Sequence, residues 1–386
     1  MDAVIVGAGV AGLACARHLQ RHGLDVAVVE RSDAVGGRVR SDRHEGFVLD
    51  RGFQVLPVSY PEARAVLDYD RLDLRPFASG AIVRHGGRLR RVADPRRMPL
   101  RGLRSLAGGG VAVKDAAGLV SLLRSREERT VAAALRSAPL SDQARDGLLV
   151  PFLRGITLDP DLATSSAFLR FVLRAFSDGP AALPAQGMQA VPDQLAEGLD
   201  VRTGTSVRAV GPGSVTLGDG TTLDARAVVV ATAGLVDDAA HGWRDVSCAY
   251  FAASASPVPG PWLVLNGDGD GPVNNLCAPS EVTPSYAPPG QALVSATVLG
   301  GGPVDLEAVT AQLRTWFGRQ VHRWTHLRTV VVPHALPGLP VGADLTAAPR
   351  LALGLYACGD HREHPSLNGA LRSGRRAAQA VLDDHA

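Results

Sequence analysis

Three glycines in Gly7-Ala8-Gly9-Val10-Ala11-Gly12 have the spacing of a phosphate-binding turn. Gly7 permits the tight turn, Gly9 lets backbone approach a pyrophosphate, and Gly12 lets a helix pack closely on a strand. The start of the helix that follows offers free N–H groups and a partial positive charge to phosphates. Eighteen residues beyond Gly12 stands Glu30, an acceptor for ribose hydroxyls near the spacing expected of a dinucleotide fold. Arg31 opens the next segment, in which the pair Gly36-Gly37 allows a second close backbone approach. Arg38 then follows, and its guanidinium can take phosphate as a planar fork.

These groups need elements to hold them. Ala3-Val4-Ile5-Val6 is a short apolar, β-rich run that reads as a buried strand. Residues 13–20 read as a helix ending near Gly23, and Val26-Ala27-Val28-Val29 is a second strand ending at Glu30. Strand, glycine turn, helix, strand and acid together make dinucleotide binding the leading expectation, against an ordinary glycine-rich α/β turn.

The GxGxxG, the acid at the second strand end and the GGRxxS segment ending at Ser41 resemble the superfamily of flavin amine oxidases, protoporphyrinogen oxidases and phytoene desaturases. The resemblance implies an α/β fold, with a Rossmann-like FAD-binding domain and a discontinuous mixed α+β substrate domain. It implies non-covalently bound FAD, with Arg38 as a diphosphate contact. In Asp50-Arg51-Gly52-Phe53-Gln54 it implies backbone passing the isoalloxazine, with Gly52 allowing the approach and Phe53 or Gln54 facing the ring. Val207 would present backbone to the adenine, and a Gly187-Met188 loop leads into a helix near the active site. At the C-terminus, Gly359-Asp360 would meet the ribityl or phosphate region. The helix start at Leu367, Asn368 and Ala370 would point at flavin N1 and O2, where negative charge develops on reduction.

The same resemblance exposes two departures. Amine oxidases of the superfamily commonly carry a lysine near flavin N5 and two aromatics framing the substrate. Here the only lysine is Lys114, and His364-Pro365-Ser366-Leu367-Asn368 holds neither Tyr nor Trp. The expected reaction is therefore FAD-dependent hydride removal from a small or medium-sized organic substrate, by C–N or C–C oxidation. The alternatives are a redox-neutral flavin isomerase and a flavin-free binding protein on the same fold. Acid-base candidates are His334 and His364 or its neighbour His361, and Gln54 is a further catalytic candidate.

The expected FAD-binding domain comprises residues 1–59, 186–245 and 345–386; residues 60–185 and 246–344 form the substrate domain. Within them, 80–92 reads as a hairpin, 103–136 and 162–176 carry helical spacing, and 306–317 is a helix. Residues 201–210 and 215–217 alternate like strands. Arg101, Arg104, Lys114, Arg124, Arg126 and Arg129 could touch an anionic membrane surface, although a solvated helical face is the commoner explanation.

Composition narrows the classes further. The 386 residues are 46% hydrophobic and 20% charged, with a net charge of +2, so neither disorder nor a broad electrostatic claim on nucleic acid is supported. Cys15, Cys248, Cys277 and Cys358 form no CxxC pair, which points away from a zinc site or disulfide scaffold and toward a reducing cytoplasm. The uncharged stretches 246–267 and 282–304 are broken by prolines and read as no transmembrane helix. A strand pattern already under way at Ala3 argues against a signal peptide. A small molecule is the expected partner; no metal ligand set is apparent and the oligomeric state is open.

Overall fold

The structure, a computed structural model, describes residues 1–93, 113–236 and 241–385. Its first sheet is built on apolar runs. Ala3–Val6, Val26–Val29 and Ala227–Val230 are buried along their whole length. Such runs suit a parallel sheet covered on both faces. The six strands lie in the order Asp200–Arg202, Val26–Val29, Ala3–Val6, Ala227–Val230, Leu355–Ala357, Arg350–Ala352. The first five pair in parallel, and Arg350–Ala352 closes the edge antiparallel. Ala3, Ile5, Val28 and Val229 pack against the helix Val10–Arg21 and the C-terminal helix Leu367–His385. Val4, Val6, Val228 and Val230 pack on the opposite side against Val215 of a three-stranded sheet (Val207–Gly211, Ser214–Leu217, Thr222–Asp224).

The second large sheet has seven strands in the order Thr325–Pro337, Trp243–Ala253, Ala292–Leu299, Val273–Cys277, Leu263–Asn266, Gly80–His85, Arg88–Ala93. It is antiparallel except where Leu263–Asn266 runs beside Gly80–His85. One face carries the helix Leu306–Phe317, whose Val309, Leu313 and Trp316 meet Ala249, Phe251 and Val294. The alternate residues Cys248 and Tyr250 face the other way, toward Phe47, Val48 and Leu49 of a small hairpin. A third cluster of helices (Val113–Arg124, Val131–Ser137, Val150–Thr157, Ser166–Asp178, with a π-helical turn Gln143–Leu149) packs around Leu135, Leu153 and Leu169.

Three expectations from periodicity need amendment. The helix expected over 162–176 runs Ser166–Asp178; Ser165 caps it, and Leu162 sits before it with φ +52°. The buried Asp159, accepting from Thr164 N–H and Oγ1, fixes that loop outside the helix. The strand expected over 201–210 is two strands, Asp200–Arg202 and Val207–Gly211. Between them Gly204 and Thr205 donate to the carbonyls of Ser32 and Glu30, which turns the chain aside. The spacing over 103–136 resolves into Val113–Arg124 and Val131–Ser137. Residues 103–112, with Arg104, lie outside the described residues, as does Arg101. Among the described residues no helix is long and apolar enough to cross a membrane.

Candidate active site

The glycine turn sits between the first strand and the first helix. A Cβ on Gly12 would collide with the Gly7 carbonyl and come within 2.9 Å of Ala231 Cβ, so only glycine fits there. The helix start has no side-chain cap, leaving its first N–H groups for a ligand, and open space lies where a Gly9 side chain would be. Glu30 is buried, and its two carboxylate oxygens accept from Ala8 N–H and Ser32 N–H at 2.8 Å each. It therefore braces the glycine turn from the second strand, with lone pairs left over for a ribose. Arg31 is exposed.

The second glycine segment lies directly on the first. Gly36 N–H donates to the Ala8 carbonyl at 2.8 Å, Gly9 and Gly36 form a bridge, and a Cβ on Gly37 would lie 3.3 Å from Gly9 Cα. Arg38 reaches from here to the far end of the chain. It donates to Asp360 Oδ1 at 2.5 Å and to the Ala335 carbonyl at 3.0 Å, with its guanidinium 5.5 Å from the Trp243 ring centre. Asp360 is buried, and Gly359 N–H before it donates to Ser373 Oγ on the C-terminal helix.

Gln54 joins the third segment to the second: its amide nitrogen donates to the carbonyls of Arg38 at 2.8 Å and Arg51 at 2.7 Å. Gly52 has φ +87° and lies 3.5 Å (from an ideal Cβ) from Val246 and Val332 of the second sheet. Phe53 packs edge-on to Phe77 with ring centres 6.1 Å apart. At the C-terminal helix, Gly369 N–H donates to Ser366 Oγ and Asn368 Oδ1 accepts from Glu62 N–H. Leu367 and Ala370 pack partly buried against the first core. Gly374 presses against Ala11 and Cys15, with Cys15 N 3.0 Å from an ideal Cβ, so the helices Val10–Arg21 and Leu367–His385 cross in contact. Val207 is half-buried at the start of its strand, next to the turn that bonds Glu30.

The histidines separate. His334 is exposed with φ +53°; its N–H donates to Asp245 Oδ1, and its ring lies 5.4 Å from Trp243, which also neighbours His361. His364 lies against Phe171 with ring centres 4.0 Å apart and planes tilted by 33°, and its Nδ1 bonds Ser366 Oγ. Burial, helped by the Arg372 cation, lowers its pKa to about 4, so at neutral pH it is an uncharged joint between helices.

Sequence reasoning passed over two features. Arg40 is buried beside Gly36; its Nη1 meets Asp33, while its Nε has no partner among the described residues. Its signal was the second arginine of Gly36-Gly37-Arg38-Val39-Arg40. The other is Asp50. Its Oδ1 accepts from Ser41 Oγ at 2.5 Å and Met188 N–H at 3.0 Å, its Oδ2 from Tyr286 Oη at 2.8 Å, and its carbonyl from Tyr250 Oη at 2.5 Å. Burial pushes its pKa up to about 6 against the three donors that favour the anion. Asp50, Tyr250, Tyr286 and Ser295 line a cavity of about 10 Å³ together with Gly52, Phe53 and Gln54, room for one water-sized group.

The residues present fit FAD. An uncapped helix start, open space over Gly9, an orphaned buried guanidinium nitrogen at Arg40 and the Arg38–Asp360 pair lie along one path from Glu30 to the C-terminal helix. A family model described as flavin containing amine oxidoreductase matches residues 10–382. Protoporphyrinogen oxidase 2 of Arabidopsis thaliana is 42% identical over 64 residues, 17% of this chain and 13% of that protein. Lysine-specific histone demethylase 2 of Homo sapiens is 27% identical over 243 residues, 59% of this chain and 29% of that protein. The chain thus spans less than a third of the length of these curated relatives. A solved oxidoreductase from Methanosarcina mazei superposes with a TM-score of 0.77 over 99% of this chain and 100% of that one, at 19% identity, which shows a shared fold.

Proposed function

The chain belongs to the flavin-containing amine oxidoreductases; from that premise we propose that it is an FAD-dependent oxidoreductase that dehydrogenates a small or medium-sized organic substrate at a C–N or C–C bond. Bound FAD supplies the hydride acceptor, and the protein supplies position and electrostatics. The observation that carries the reading is the meeting of Arg38 with Asp360, with Gln54 tying Arg38 to the Asp50–Gln54 turn. Three segments, two of them 16 residues apart and the third more than 300 residues further on, thereby meet. Arg38 and Arg40 offer positive charge to a diphosphate, and Glu30 offers acceptors to a ribose. The C-terminal helix start favours negative charge on a reduced ring. No lysine neighbours the Gly52–Gln54 turn in sequence, so the reading does not rest on a lysine-assisted amine oxidase site. A small-molecule partner and a reducing cytoplasmic setting belong to the same proposal; the four cysteines, all buried as free thiols, support the latter.

The test is anaerobic bleaching of the FAD-loaded protein with a panel of amines, amino acids, porphyrinogens and polyenes. The expected result is loss of flavin colour with one chemical class and appearance of its two-electron-oxidised product. A preparation that stays colourless after FAD is added, or a product formed without net reduction of any acceptor, would overturn it.

A further inference from the structure

Oxidation of an H–C–X–H group to C=X, with X the nitrogen or carbon of the proposed reaction, sheds one hydride and one proton. The hydride with its electron pair is the flavin's share, and the proton must pass to the protein or to water. We propose that Tyr286 and Asp50 form the relay that accepts it. The inference rests on the dehydrogenation reading above. The X–H bond breaks as a water in the one-water cavity beside Tyr286 takes the proton, that water passes a proton of its own to Tyr286 Oη, and Tyr286's own O–H bond breaks as its proton moves to Asp50 Oδ2. The pair gains one proton in total and no electrons.

The geometry suits this in four respects. Tyr286 Oη already donates to Asp50 Oδ2 at 2.8 Å, so the transfer follows an existing hydrogen bond. A hydroxyl that donates there keeps its lone pairs as acceptors. Both residues line the one-water cavity shared with Gly52, Phe53 and Gln54, the turn expected beside the flavin ring. Finally, Oδ1 is occupied by Ser41 Oγ and Met188 N–H, which leaves Oδ2 as the oxygen with capacity for a proton.

The groups facing Asp50 from the packed elements are Tyr250 on strand Trp243–Ala253, Cys277 on strand Val273–Cys277 and Tyr286 itself, with Cys248 next to Tyr250. Burial raises all four and keeps them neutral, so within this cluster Asp50 is the group able to change charge in the neutral range. The charged neighbours Arg51 and Asp42 pair with each other. The histidines offer no competing base here: neither His334 nor His364 lines the cavity. Tyr286 hands the proton on through its hydrogen bond, and Asp50 holds it.

Two measurements on the FAD-loaded protein test the relay. In stopped-flow anaerobic reduction with a bleaching substrate, the wild-type rate should rise as pH rises through about 6. Tyr286→Phe and Asp50→Asn should lose that limb and run about 100-fold slower at pH 8, the scale of a lost general base. Infrared titration needs no substrate. A protonated carboxyl band should appear as pH falls through about 6, be absent from Asp50→Asn, and titrate at higher pH in Tyr286→Phe because the anion has lost a donor. A Tyr286→Phe protein with the wild-type rate and pH profile overturns the relay, as does a wild-type spectrum without that band. A panel in which nothing bleaches counts against the dehydrogenation reading instead, while the infrared result still decides Asp50. If Asp50→Asn fails to fold, Tyr286→Phe carries both readouts.

Discussion

At the scale of single residues, the candidate site is held together by paired groups from different segments. Glu30 stabilises the glycine turn by accepting from Ala8 and Ser32, and its remaining lone pairs suit a ribose. Replacing Glu30 with Ala should weaken FAD binding by about 1–3 kcal/mol, the range for a hydrogen bond to a charged group; unchanged affinity in a fluorescence-quenching titration would remove its ribose role. Arg38, Gln54 and Asp360 were legible as single candidates because each sits in a short motif. Their mutual contacts were not, since 322 residues separate Arg38 from Asp360. Arg40 was within reach of the same motif and was missed because nothing in a sequence says that a guanidinium two positions past Arg38 is buried.

At the scale of elements, the two helices that begin at the cofactor path cross where Gly374 meets Ala11 and Cys15. Gly374→Val would drive a side chain into the Ala11 carbonyl and the Cys15 N–H. Overpacking of this kind costs about 1–3 kcal/mol. Chemical unfolding should show that loss, and FAD affinity should fall with it because the helix starts move apart; a variant with unchanged stability and affinity would show that the crossing tolerates the shift. The strands and helices of the dinucleotide unit were readable because their signals are local: a glycine spacing, an apolar run, an acid at its end. Boundaries failed where tertiary bonds override periodicity, as with Asp159 holding Leu162 outside its helix.

At the scale of the whole molecule, His364 joins the helical cluster, through Phe171, to the loop that starts the C-terminal helix. Its folded pKa of about 4 lies below the ordinary 6.5, so it contributes stability present above about 6.5 and lost as pH falls through about 4. Asp50 runs the other way: its raised pKa contributes stability present below about 3.8 and lost as pH rises through about 6. His364→Gln should therefore lose about 3 kcal/mol less than wild type between pH 7 and pH 4, as urea unfolding at the two pH values would measure. An equal acid loss in both proteins would show that the joint does not depend on an uncharged ring. The sequence alone determined the dinucleotide unit and the family resemblance and named candidates for the FAD contacts, because those depend on short spacings that act within one turn of chain. Only the tertiary structure decided the Asp50 cluster, in which Tyr250 and Tyr286 come from 200 and 236 residues away. Burial and desolvation, which make an ordinary aspartate a candidate proton acceptor, arise from what the fold packs around it and leave no trace in spacing or composition.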